Sequence, residues 1–250
     1  MQRFTDIIAA NAVLLDTRAK ADYLAGHLAG ALHGEFLEKF IIRNPEQLEF
    51  FNLTLEAWVR SLGLHATEHI ITYDAGRDTR AARAAWALEY AGFTVQILRQ
   101  GISHQPLELT VPVVQPSAFR LTPKPELLAT AEQILEQKAL VIDTRDAAEF
   151  AGEKIPPGAS RGGHISNAIN LDWQDLADVD GLKSAHEIDA LLSHIPKDRH
   201  IIVHCQSGAR SSVLYHVLHE RGYSVANYLG SMNEWLNDPE LEVVQNYNKI

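Results

Sequence analysis

The only thiol in this 250-residue chain is Cys205, and its neighbours decide what it can do. Ahead of it, Ile201 to Val203 form an apolar run of the length of a buried strand. Gln206-Ser207-Gly208-Ala209-Arg210 follow. From Ser211 the pattern changes: Val213, Leu214, Val217 and Leu218 share one face at helical spacing, and Gly222 marks a stop. The spacing predicts strand, tight loop and helix N-terminus, with the thiol at the strand's end. The first amides of a helix lack partners and carry the positive end of its dipole. A loop of Gly, Ser and Ala can aim further N–H groups inward as an anion nest. Sulfur held there is stabilised as thiolate, its reactive form. The same nest would hold a persulfide, whose outer sulfur is anionic. A lone cysteine is otherwise a small buried hydrophobe; the strand–loop–helix setting favours a reactive one.

Other groups compete for a role. Asp74 is followed by Arg77, Arg80 and Arg83, for which ion pairing or a solvated helix face is preferred to substrate contact. Asp143 and Arg145 read as a structural pair that fixes a loop. Lys154 and Arg161 suit either a flexible basic loop or attraction of an anion. Of the twelve histidines, His216 and His219 stand three apart, but no set has metal-ligand spacing, so no metal is expected. No Gly-rich nucleotide motif occurs and no organic cofactor is implied. A formal net charge of −10 argues against nucleic acid or an anionic membrane as partner. It also means that any anion site is built locally, from amides and a few arginines. No run approaches a membrane span, no leader pattern opens the sequence, and one cysteine allows no internal disulfide, so the cytoplasm is expected.

The elements that must position Cys205 are written twice. Val13-Leu-Leu-Asp-Thr-Arg18 reads beside Leu140-Val-Ile-Asp-Thr-Arg145, so that Asp16 answers Asp143. Gly26-His27 answers Gly163-His164, and the second copy carries about ten extra residues, Glu153 to Gly162. Ile70-Ile-Thr-Tyr-Asp74 answers Ile201-Ile-Val-His-Cys205, which places Asp74 where the second copy has its thiol. The period is far too long for a solenoid and fits two tandem domains. In the first copy Val13–Leu15, His69–Tyr73 and Thr94–Leu98 read as strands. In the second, Leu140–Asp143, Ala168–Leu171, Ile201–Val203 and Ser224–Leu229 do. Leu48, Phe51, Leu55, Trp58, Val59 and Leu62 line one helical face; Ala81, Ala84, Ala85 and Leu88 line another. Ser184-Ala-His-Glu187 is a capping box. Such alternation implies a mostly parallel sheet covered on both faces, with sites at the carboxyl ends of its strands. Prolines 106, 112, 116, 123 and 125 punctuate a stretch with no helical period. The expected division is 1–107 for the first domain, 108–125 for a linker and 126–250 for the second.

Cys205 to Arg210 is a six-residue loop, and together with the Asp-x-Arg of each copy, the Gly-His motif and the duplication it resembles the tandem rhodanese sulfurtransferases. The resemblance covers nearly the whole chain. It implies an α/β fold of two rhodanese-like domains, each a mostly parallel sheet with helices on both faces. Phe150-Ala-Gly-Glu-Lys, Gly163-His164 and Cys205-Gln206 look closer to the thiosulfate enzymes. The Cys-Gly-(Ser/Thr/Val)-Gly-Val-Thr loop of mercaptopyruvate enzymes is absent. Many members carry an Arg where Glu149 stands. Related Cys-based phosphatases put five residues between Cys and Arg, and their wider cradle takes a tetrahedral anion. The implied reaction moves a sulfane sulfur from thiosulfate to cyanide or a thiol through a Cys205 persulfide. Gln206, Ser207, Gly208, Ala209, Arg210 and Ser211 would bind the sulfur, and the first copy, with Asp74 in the cysteine position, would be catalytically silent. A persulfide carrier feeding a redox or sulfur-acceptor protein is the alternative; a 3-mercaptopyruvate sulfurtransferase, a phosphatase or an arsenate reductase stands further off. Asp172-Trp173 would be delivered to the rim of the site.

Overall fold

The computed structural model describes residues 2–245 except Arg77, His104, Val179 and Asp180. Along the chain run β1 (Phe4–Thr5), β2 (Val13–Asp16), α1 (Lys20–Ala25), β3 (Leu32–His33), α2 (Pro45–Ser61), β4 (His69–Tyr73), α3 (Arg80–Tyr90) and β5 (Thr94–Leu98). There follow β6 (Leu128–Ala129), α4 (Ala131–Leu135), β7 (Leu140–Asp143), α5 (Ala147–Ala151), β8 (His164–Ile165) and β9 (Ile169–Asn170). The chain continues with β10 (Ala177–Asp178), β11 (Gly181–Leu182), α6 (Ala185–Leu191), β12 (Ile201–His204), α7 (Ala209–Glu220), β13 (Val225–Tyr228), α8 (Ser231–Trp235) and β14 (Val243–Val244).

Segments Met1–Glu38, Leu48–Pro125 and Ala177–Lys183 make one compact unit; Lys39–Gln47, Glu126–Leu176 and Ser184–Ile250 make the other. Two short segments, 39–47 and 177–183, thus belong to the unit opposite to their place in the sequence. Each unit holds a five-stranded sheet, ordered β1-β5-β4-β2-β3 in the first and β6-β13-β12-β7-β9 in the second. Every pairing within these two sheets is parallel. The two orders are the same order, as the internal repeat requires.

A parallel sheet buries both faces, so its central strands are mostly apolar. Ile201, Ile202 and Val203 are buried, and so are Ile70 and Ile71. The second core gathers Val141, Ile165, Ile202, Ala226, Tyr228, Met232 and Trp235. In α2, Phe51, Leu55 and Val59 are buried four residues apart, the inner stripe of an amphipathic helix. In α3 every residue from Ala81 to Tyr90 is buried, as are the eight residues from Ser211 in α7, and alanine and serine let the backbones pack closely. The Ser184–Glu187 capping box forms as read from the sequence. Strands β1, β3 and β6, two residues each, are too short for an alternation to declare them. No helix of the described residues is long and apolar enough to cross a membrane.

Candidate functional site

Cys205 directly follows β12, the central strand of the second sheet, and is 1% exposed. Gly208 is the residue before α7 and has φ +81°, a left-handed conformation that glycine adopts without strain. That turn aims the Gly208 N–H at Cys205 Sγ, 3.2 Å away. The amides of Ser207 and Ser211 also face the sulfur. The Ser211 hydroxyl lies 3.6 Å from Sγ and 2.7 Å from Asn227 Oδ1. Of the loop amides from Gln206 to Ser211, those of Ser207, Gly208 and Ser211 thus face the sulfur, and α7 starts at Ala209, two residues before the helical pattern expected from Ser211.

The loop's shape is held from outside. Asn227 Nδ2 donates to Gly208 O and to Ser212 Oγ, each at 3.1 Å, and Ser212 Oγ donates to Gly208 O at 2.7 Å. The backbone N–H groups of Met232 and Asn233 donate to the carbonyls of Cys205 and Gln206 at 3.1 and 2.9 Å. With its carbonyls turned outward, the loop turns its amides inward. The Gln206 side chain donates to Asn233 Oδ1 at 2.7 Å, so its role here is to brace the loop.

Arg210 makes a two-pronged contact with Glu149, 2.5 and 2.9 Å, which is the strong form of this pair. Burial raises the Cys205 thiol, but the Arg210 charge, the Ser211 and Ser207 amides and the Ser211 hydroxyl outweigh it and bring the thiol below its ordinary value. Lowering the thiol favours its thiolate, the nucleophilic form.

The remaining candidates fall into place. Arg145 donates to both Asp143 oxygens and, at 2.7 Å, to Gly163 O; it is wholly buried. Arg18, Asp16 and Gly26 repeat that arrangement in the first unit. Both Asp-x-Arg pairs are structural staples, as the spacing suggested. Arg161 is committed to backbone carbonyls, those of Trp235, Leu236, Asp238 and Leu241, and so fits neither of the two roles left open for it, a flexible basic loop or attraction of an anion. Lys154 pairs with Asp146, whose carboxyl it helps to bring down to about 2 against the effect of burial. Trp173 opens a 3₁₀ turn, Trp173–Leu176, at the carboxyl edge of the sheet, its amide on Thr144 O at 3.2 Å. Asp74 accepts from the Gly76 and Ala81 amides at 2.8 and 3.0 Å; burial, opposed by those bonds, pushes its carboxyl up to about 7. Arg80 pairs with Glu35 and Asp78, Arg83 donates to the carbonyls of Phe36 and Glu38, and Arg77 lies outside the described residues. No cluster of three or more His, Cys, Asp or Glu that could hold a metal occurs among the described residues.

Sequence reasoning missed Asn227, Ser231, Asn233 and the pairing of Glu149 with Arg210. Asn227 had a signal: a lone amide in the apolar strand Val225–Tyr228 must find buried partners.

Residues 2–104 and 127–238 each match the rhodanese-like domain family. The chain is 31% identical to the 3-mercaptopyruvate sulfurtransferase of Escherichia coli K12 over 88% of its own length and 84% of that protein's. It is 29% identical to the thiosulfate sulfurtransferase of Azotobacter vinelandii, covering 94% and 92%. A crystal structure of a probable thiosulfate sulfurtransferase superposes with a TM-score of 0.81 at 31% identity, covering 95% of this chain and 99% of that one.

Proposed function

This chain belongs to the rhodanese-like domain family, its relatives include sulfurtransferases, and we propose that it is a thiosulfate sulfurtransferase working through a Cys205 persulfide. The observation that carries the reading is a thiol held low by Arg210 inside a nest of amides from Ser207, Gly208 and Ser211. The Cys205 thiolate attacks the outer sulfur of thiosulfate, the S–S bond of the donor breaks, and sulfite leaves with the bonding pair. The charge now rests on the outer sulfur of Cys205–S–S⁻, where the amides stabilise it as they would an oxyanion. Cyanide or a thiolate attacks that sulfur, and the Cys205 thiolate returns as leaving group. Splitting the transfer in two keeps each step easy. Asp74 fills its own loop's amides with a carboxyl, which cannot take up a sulfane sulfur as a thiolate does, so in this reading the first unit is silent. The reading places donor and acceptor sites in the second domain, and with its single thiol the protein suits the cytoplasm.

Thiosulfate is preferred to 3-mercaptopyruvate because the loop Cys-Gln-Ser-Gly-Ala-Arg offers one guanidinium and lacks the mercaptopyruvate pattern. The six-residue span also disfavours phosphate esters. Steady-state turnover with each donor tests this: kcat/KM for thiosulfate exceeds that for 3-mercaptopyruvate by about tenfold or more, a difference of ~1.4 kcal/mol in transition-state binding. The reverse order overturns the donor assignment.

A further inference from the structure

Helix α8 is five residues long, Ser231–Trp235, too short to hold its own geometry in water. Its first turn nevertheless supports the nest. Ser231 Oγ accepts from the Cys205 amide at 3.3 Å and donates to Tyr228 O at 2.6 Å. The Met232 and Asn233 amides take the carbonyls of Cys205 and Gln206. Ser231 has φ +51°, a left-handed conformation that a non-glycine residue keeps only where its surroundings impose it. Something must therefore fix α8 in place.

Burial of Met232 and Trp235 in the core does part of this, and two arginines do the rest. Arg161 binds the carbonyls of Trp235 and Leu236 at the end of α8 and those of Asp238 and Leu241 just beyond it. Arg43, from the segment Lys39–Gln47 of the same unit, donates through Nε to Glu234 Oε1 at 2.7 Å and through Nη1 to Asp238 Oδ2 at 2.5 Å. Its guanidinium thus ties the last turn of α8 to the chain just beyond it. The Glu234 side chain is wholly buried. Its Oε2 lies so close over Gly230 that a β-carbon there would stand 1.8 Å from it. Glu234 is three residues after Ser231, one helical turn, so the two share a face. Holding Glu234 orients Ser231.

We propose that Arg43 and Glu234 are positioning residues for Cys205: through α8 they set the direction of the Cys205 and Gln206 carbonyls, and so the convergence of the loop amides on sulfur. The inference deepens the sulfur-transfer reading and rests on it for its kinetic arm only. Neither residue touches sulfur. A misplacement of an ångström or less is enough to spoil converging donors.

The test compares the parent, Arg43→Lys and Arg43→Leu. One measurement is the pH dependence of Cys205 alkylation by iodoacetamide; the other is thiosulfate:cyanide kinetics. Arg43→Leu is expected to move the thiol's titration upward by about half a unit or more, roughly a threefold loss of thiolate. Its kcat falls about five- to tenfold, with KM moving less than twofold, because the nest rather than donor binding is disturbed. Arg43→Lys falls between, since an ammonium cannot bridge Glu234 and Asp238 as a fork does. A folded Arg43→Leu with the parent's titration and kcat overturns the proposal. Should Arg43→Leu not fold, Arg43→Lys decides alone: a smaller upward shift supports the proposal and an unchanged titration refutes it. Alkylation needs no sulfur donor. A parent inert to thiosulfate would therefore sink the functional reading while the titration still decides this one.

Discussion

Replacing Arg210 by Met separates its two duties. Its guanidinium makes two charge-assisted bonds to Glu149, at 2.5 and 2.9 Å, and its side chain is 24% exposed. Hydrogen bonds to charged groups contribute about 1.5–3 kcal/mol, and breaking a fully buried pair costs about 3–5. With part of this pair in solvent, about 2–4 kcal/mol is the expected loss for Arg210→Met, much of it from the Glu149 carboxylate left buried and alone. Arg210→Met/Glu149→Gln removes that orphan charge and should return to within about 1 kcal/mol of the parent, by urea unfolding. The thiol follows a different order. Losing the cation raises it, and an unpaired carboxylate raises it further. Its titration by iodoacetamide should therefore rise from parent to double variant to single variant, by about one unit at the first step, equivalent to ~1.4 kcal/mol. If both variants alkylate with the parent's pH profile, Arg210 does not hold the thiolate and the electrostatic account of the site fails.

Asp74→Asn tests the first unit. The folded carboxyl sits near 7, above its ordinary 3.8, so the stability from its neutral form is full below about pH 4 and is lost as pH rises through 7. The parent's urea midpoint should fall between pH 5 and pH 8 more than the variant's, while turnover stays within a few-fold; a hundredfold loss of turnover in folded protein would show that this copy is not silent. Inserting one Gly between Gly208 and Ala209 should cut persulfide yield more than it lowers the urea midpoint, because the amides no longer converge on one atom; an unchanged yield would show that loop length is not decisive. Trp173, at the sheet's carboxyl edge, should change its fluorescence when thiosulfate is added. A change that survives unaltered in Trp173→Phe would assign the signal to another tryptophan.

The parts of the fold legible in the sequence were those whose pattern is local and long. Ile201–Val203 is a continuous apolar run, His69–Tyr73 and Thr94–Leu98 are short segments rich in β-branched and apolar residues, and the structure makes strands of all three. The duplication placed Asp74 against Cys205, and both indeed sit at the end of the corresponding central strand, β4 or β12. What escaped was non-local. Ser231-Met-Asn-Glu-Trp235 is too short for a helical period, yet it turns carbonyls of the Cys205 loop outward. Arg161 reads as a basic loop residue because its partners are main-chain carbonyls about 75 to 80 residues away, on which side-chain identity leaves no mark. Glu149 pairs with Arg210 across 61 residues, and only the folded sheet brings them together.

The central claim is that Cys205 takes up one sulfur atom and gives it away. The most direct measurement is the intact mass of the pure protein after thiosulfate, and again after cyanide. The expected result is a gain of about one sulfur atom that cyanide removes, and no gain at all in Cys205→Ser, whose hydroxyl cannot form the covalent intermediate. A gain that persists in Cys205→Ser, or a parent whose mass does not change, would contradict the account.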